Sequence, residues 1–180
     1  MNDTQLILKT RALAAAKRIE STEYDDGIDV IYFRIGNEHY AIEADVVNEV
    51  HTRMKLTPVP YTPSYILGIF YMRGRFVSVV DLKSFLGMER QSDEVFGSLL
   101  LLSDGDMEFG VTVDDVQEQT KLSKKMLQLP SGFDLPRSDL IIGVTEEGII
   151  LLNGKKLLSD SAMRIYQEVV TLYKGGGNVQ

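Results

Sequence analysis

The chain has 180 residues, 44% hydrophobic and 25% charged, with a net charge of −7 and no cysteine. That composition suits a globular protein with an apolar core, and it excludes a disulfide framework, a thiolate metal site and a cysteine nucleophile. The acidic balance argues against nucleic acid as a partner, because phosphate contacts need Lys and Arg gathered on one surface. The longest apolar runs, such as Leu99–Leu102 and Ile149–Leu152, are far shorter than the ~20 residues that cross a bilayer. No signal-peptide pattern opens the chain, so the expectation is a cytoplasmic protein without membrane insertion.

Residues 1–28 read as an appendage: an alanine-rich helix from Thr4 to Glu20, carrying Lys9, Arg11, Lys17 and Arg18, then an acidic linker with Glu23, Asp25, Asp26 and Asp29. At Asp29 the grammar turns strand-like. Val30–Ile35 and His39–Ile42 flank Gly36-Asn-Glu, a hairpin signal, and Asn48–Thr57 reads as one further strand before Pro58, Pro60 and Pro63 break the ladder. Gly68–Gly87 then reads as strand, tight turn at Arg73-Gly74, strand, and a short helix Leu82–Leu86 capped by Asp81 and stopped by Gly87. Arg73 is the one residue of this segment with no evident structural role. Strands follow at Ser98–Leu102, Met107–Val113, Val116–Leu122, Leu140–Val144 and Gly148–Leu152.

About ten short, closely spaced strands favour antiparallel barrels or a sandwich over a doubly wound fold. A faint internal echo points to two related barrels. The order glycine, turn, apolar strand ending in a capping residue, short helix occurs at Gly68–Leu86 and again from Gly143 through Asn153 to Leu158. The expected organisation is a body over 29–170 made of two subdomains switching near 88–97, with a C-terminal helix and a flexible tail over 171–180.

Chemistry is scarce. His39 and His51 lack ligand-spaced companions, and no nucleophile elbow, phosphate loop or dinucleotide fingerprint is present. Asp104, Asp106 and Glu108 alternate like part of a calcium loop, but Asp-Gly is above all a hairpin turn. Asp114-Asp115 reads as a solvated strand end. Tyr61 and Tyr65, near prolines, suit either a sticky surface or the rim of a core. The pattern is that of an interaction protein, with no enzyme activity, cofactor or metal expected.

Several segments together resemble the CheW family of bacterial chemotaxis adaptors: Phe33, Ile35, Asn37 and Tyr40-Ala-Ile42; Val47-Asn-Glu-Val50; Leu56-Thr-Pro-Val-Pro60 with Pro63; Gly68–Gly87; Gly110–Val116; and Ile150–Leu158. The resemblance implies a mainly β fold of two small five-stranded SH3-like β-barrels packed together with short helices, plus the N-terminal and C-terminal helices. It also implies a scaffold that couples cytoplasmic chemoreceptor tips to the regulatory domain of a histidine kinase, in a flagellar or another two-component pathway; a small-molecule-binding barrel is the remaining alternative. By the same resemblance Val47 and Glu49 fall on a receptor-facing groove, and Gly68, Arg73 and the adjoining Tyr71 and Gly74 on the partner-reading segment. Core and turn roles suit Val47 and Gly68 equally well. Tyr71, Met72 and Ser78 stand where the family has asparagine, leucine and proline.

Overall fold

A glycine at φ +61°, Gly36, reverses the chain between two runs rich in β-branched and aromatic residues, giving β1 (Gly27–Ile35) and β2 (Glu38–Glu43). In this computed structural model residues 27–52, 54–89, 97–128 and 136–163 are described. The expected N-terminal helix, the 171–180 tail and all but the first turn of the C-terminal helix lie outside them. The remaining strands are β3 (Val47–His51), β4 (Leu56–Thr57), β5 (Ile66–Met72), β6 (Arg75–Asp81), β7 (Ser98–Ser103), β8 (Glu108–Val113), β9 (Asp115–Ser123), β10 (Ile141–Val144) and β11 (Ile150–Leu152). Two short helices, α1 (Leu82–Phe85) and α2 (Gly154–Leu158), follow β6 and β11. The segment expected as one strand from Asn48 to Thr57 is divided into β3 and β4.

The strands form two sheets, ordered β10-β11-β2-β1-β9 and β3-β7-β8-β6-β5-β4. Both must curl. The end strands β3 and β4 are joined by residues 52–55 alone, a reach of roughly 14 Å, whereas six flat strands would hold their edges roughly 24 Å apart. In the other sheet, Gln128 and Val144 exchange two backbone hydrogen bonds of 2.9 Å, tying the chain after β9 to the β10 edge.

Barrel membership does not follow chain order. The first barrel takes the β1–β2 hairpin and then β9, β10 and β11; the second takes β3 to β8. The chain therefore crosses between them twice, after β2 and after β8, rather than once near 88–97. The two barrels match in five strands, and the second, expected with five, carries a sixth, β4, where the first has only the Gln128 bridge to Val144. β1–β2 corresponds to β7–β8, β9 to β3, and β10–β11 to β5–β6, with parallel pairs β2/β11 and β8/β6 in the same place. Extra residues fall at equivalent points too, in β5 before Gly68 and in β10 before Gly143, and likewise in β3 and β9. Each half of the chain thus gives its hairpin to one barrel and its last strands to the other.

Each barrel has a small interior, Val30, Ala41, Leu122 and Leu151 in the first and Met72, Val77 and Leu101 in the second. The largest apolar cluster lies between them, with Phe33, Ile42, Leu100, Leu102, Val111 and Leu152 among its members. Strands β2 and β7 serve both, which is why Leu99–Leu102 is apolar at every position and fully buried.

The helix caps differ in detail. Asn153 Oδ1 accepts from Lys156 N at 2.8 Å, as expected of a cap. Asp81 occupies the same position before α1, but its Oδ2 accepts from the Ser84 hydroxyl at 2.6 Å rather than from a helix N–H. Gly87, at φ +82°, ends α1 with its N–H donating to Ser84 O at 3.0 Å. Asp104 Oδ1 accepts from Met107 N at 2.9 Å, so this acid shapes the β7–β8 turn. Asp114 is no bare strand end: its Oδ2 accepts from Gly36 N at 2.6 Å.

Candidate functional site: the barrel mouth and the β5–β6 hairpin

The six candidate residues fall on β3, one end strand of the second sheet, and on the β5–β6 hairpin, whose β5 is flanked by the other end strand, the two-residue β4. The extra residue in β3 sends the two β3 candidates to opposite faces. Val47 pairs with Leu102 and packs half-buried against the shared core, whereas Glu49 pairs with Leu101, whose side chain fills the barrel interior. Val50, 43% exposed, lies opposite Leu100 on the Val47 side.

Glu49 therefore stands at the barrel mouth, and Arg73 meets it there. Arg73 Nη1 donates to Glu49 Oε1 at 2.5 Å, although the arginine side chain is 72% exposed and the glutamate only 23%. His51 Nε2 lies 3.1 Å from the other oxygen, Oε2, without the alignment of a hydrogen bond. The His51 ring meets Phe70 edge-on, with centroids 5.5 Å apart. Side chains thus bridge the seam where β3 and β5 share no backbone ladder. Arg75, on the far side of the turn, pairs with Glu108 at 2.9 Å, so the tip is held from two directions.

Two glycines set the backbone of this hairpin. A Cβ on Gly68 would come within 2.2 Å of the Thr57 carbonyl oxygen, and its φ of +139° already disfavours any side chain. Its role is to let β4 lie against β5. Gly74 has open space around it but a φ of +82°, and Arg73 precedes it at φ +48°. Two successive positive φ values define a type I′ turn, for which Asn-Gly is the favoured pair. An arginine in the first position costs of order 1 kcal/mol, so the tip accepts strain to aim this side chain.

Tyr71 lies on the outer face, 60% exposed, its ring 5.0 Å from that of Phe76 across the turn. Phe76 is 42% exposed and was not among the candidates. Its signal was present: in Phe76-Val77-Ser78-Val79 the alternation places Phe76 opposite the buried Val77 and Val79. The hairpin thus offers an exposed aromatic pair, an ion-paired arginine and a glutamate at the adjoining mouth. Among the described residues, no group of three or more His, Asp or Glu is placed to hold a metal. No helix among them is long and apolar enough to cross a membrane.

Comparison with known proteins decides the family, since the profile of the CheW-like domain matches residues 29–162. The chain belongs to the CheW-like family. It is a coupling scaffold of chemotaxis-type signal transduction. Protein FrzA of Myxococcus xanthus is 32% identical over 160 residues, covering 86% of this chain and 95% of FrzA. Chemotaxis protein CheW of Treponema pallidum is 24% identical over 159 residues, covering 82% and 92%. The crystal structure of the scaffolding protein TtCheW from Thermoanaerobacter tengcongensis superposes with a TM-score of 0.65 at 21% identity, covering 76% of this chain and 95% of that one. That likeness bears out the mainly β, two-barrel architecture.

Proposed function

We propose that this CheW-like protein is a non-catalytic adaptor that joins the cytoplasmic tips of chemoreceptors to the regulatory domain of a histidine kinase, reaching the membrane array only through those partners. The observation that carries the site assignment is the β5–β6 tip. Arg73 is held in a left-handed conformation, extended into solvent and paired with Glu49, beside an exposed Tyr71–Phe76 pair. None of these side chains fills a core, and aromatic and arginine side chains are the usual anchors of protein interfaces. Val47 with Val50 forms a second, apolar strip at the junction of the barrels, suited to the flank of a helical receptor tip.

The test is direct binding of the purified chain to a cognate kinase regulatory domain and to a cognate receptor tip fragment. Arg73→Glu sets two carboxylates against each other at the mouth and is expected to weaken at least one complex tenfold or more. Normal binding of both partners by this variant would remove Arg73 from the site. A second reading, output to a pathway other than flagellar chemotaxis, is favoured by the 32% identity to FrzA, a relative not named CheW. Identifying the kinase and receptors that co-purify with the chain from its own organism separates the two readings.

A further inference from the structure

Glu49 meets Arg73 through Oε1 and His51 through Oε2, so one carboxylate stands between a guanidinium and an imidazole. His51 lies two residues beyond Glu49 on the same face of β3. Its Nε2 is closed off from water, 3.1 Å from Glu49 Oε2, and without an aligned hydrogen bond. A nitrogen so placed needs a proton, because a bare lone pair facing a carboxylate oxygen is repelled by it. The ring as a whole is a quarter exposed, which leaves it open to proton exchange with water.

The two cationic side chains are not equally held. The His51 ring is set edge-on against Phe70, and its contact with Glu49 is out of water. Arg73 is mostly exposed, sits on a left-handed backbone and reaches Glu49 through Nη1. Arg73 is therefore the member free to leave. Among the described residues, no other charge intervenes. Strand β7, opposite β3, carries no Asp, Glu, Lys, Arg or His, and neither does the chain from Leu56 to Met72. Lys55 is exposed in the corner between β3 and β4, Tyr71 lies on the outer face of the hairpin, and Arg75 is engaged by Glu108 at 2.9 Å.

We infer that His51 is a positioning residue for the Arg73 tip. Neutral, it leaves the Glu49 charge to Arg73, and the guanidinium is held in one direction. Protonated, it takes up the carboxylate, and Arg73 is released. An imidazolium beside Glu49 offsets the attraction of that carboxylate for a second cation, and an exposed ion pair is weak to begin with. Histidine is the side chain whose charge ordinarily changes near neutral pH, so the hold on the tip follows pH there. An arginine fixed in one direction loses less freedom on binding than a free one, so acid weakens whichever complex Arg73 enters. That last step rests on the adaptor reading above; the release of Arg73 does not.

The experiment follows the Arg73 guanidinium and the rings of His39 and His51 by NMR of the isotope-labelled full chain, from about pH 5.5 to about pH 8.5. It uses wild type, His51→Gln, His39→Gln and Glu49→Gln, with melting temperatures recorded alongside. In wild type the Arg73 signals should shift with the midpoint of the His51 ring. His39→Gln, which removes the exposed histidine of β2, should keep that step, and His51→Gln should abolish it. Glu49→Gln should leave Arg73 released at every pH while His51 still titrates. Arg73 signals that do not move with His51 in wild type overturn the inference, as does a step that survives in His51→Gln. If His51→Gln melts well below wild type, the wild-type and Glu49→Gln titrations decide it. The binding arm takes the kinase regulatory domain and the receptor tip fragment in turn. Wild type should bind the one that Arg73→Glu weakens about three- to tenfold less tightly near pH 6 than near pH 8, beyond any change shown by His51→Gln. Equal pH dependence in the two overturns the effect on binding. Coupled shifts of His51 and Arg73 with no binding to either partner overturn the adaptor reading and leave the positioning role standing. Binding of both partners with Arg73 signals indifferent to His51 overturns this inference alone.

Discussion

Hairpins β5–β6 and β10–β11 are one structure built twice, with the extra residue before a glycine, a capping residue and a short helix in the same order. Their tips nevertheless differ. At β10–β11 the turn closes on itself: Thr145 is buried, its hydroxyl accepts from Ile149 N at 3.2 Å, and its carbonyl accepts from Gly148 N at 2.9 Å. At β5–β6 the turn is tighter and strained at Arg73, and it spends its side chains on a distant strand and on solvent. The framework is shared and the difference lies in the tip, where the proposed partner contact is placed.

The largest expected effect tests whether the frameworks carry equal loads. Gly68→Ala drives a Cβ into the Thr57 carbonyl at an unfavourable φ, and should cost about 3 kcal/mol or more by urea denaturation. Gly143→Ala meets Gln128 O at 3.1 Å and Leu127 Cβ at 3.0 Å, with no positive φ, and should cost about 1 kcal/mol. Equal losses would mean that the seam near β4 has more room than described.

Next come the helix caps. Asn153→Ala removes a side-chain cap and should cost about 1 kcal/mol in the same assay; no loss would show that Glu43, whose Oε2 accepts from Gly154 N at 2.8 Å, holds the α2 terminus by itself. At the tip, Arg73→Asn gives the turn its favoured pair while deleting an exposed ion pair worth at most about 1 kcal/mol. The melting midpoint should stay level or rise as partner binding falls. A clear drop in midpoint would make Arg73 a structural residue.

The smallest effect is one of pH. Burial alone would raise the Asp139 carboxyl, but hydrogen bonding and charge from Arg137, then from Lys156, outweigh it and hold the group below the ordinary carboxylate range. Its contribution is complete above the unfolded value of about 4 and lost as pH falls through the lower folded value. Because Asp139 is largely exposed the contribution is small, and comparing Asp139→Asn with wild type should show a stability difference at neutral pH that closes in acid.

Nearly every strand was legible, because hairpin turns at Gly36, Gly74, Gly105 and Gly148 and the two-residue alternation are local signals. β3 and β4 were merged because Met54 and Leu56 continue the alternation through the corner. The echo was visible but the exchange of strands between barrels was not, since which hairpin a strand joins is decided by long-range pairing. Arg73 stands out in the sequence as a charge without a structural role at a hairpin tip and Glu49 only through the resemblance, and nothing in the spacing of the two joins them. Gly68 had an even choice between function and framework, and its approach to Thr57 shows the framework role directly.

The exchange of strands also dictates an order of events during synthesis. The β1–β2 hairpin leaves the ribosome first, yet Phe33 must wait for Val116 and Tyr40 for Ile150. The second barrel can close once β8 has emerged, while the first stays open until the last strand arrives. A nascent chain stopped before β9 would hold one finished barrel and an orphan hairpin whose Val30 and Ala41 lack Leu122 and Leu151, their partners from β9 and β11. Of the described strands, the hairpin translated first is therefore the one that waits longest for its barrel partners.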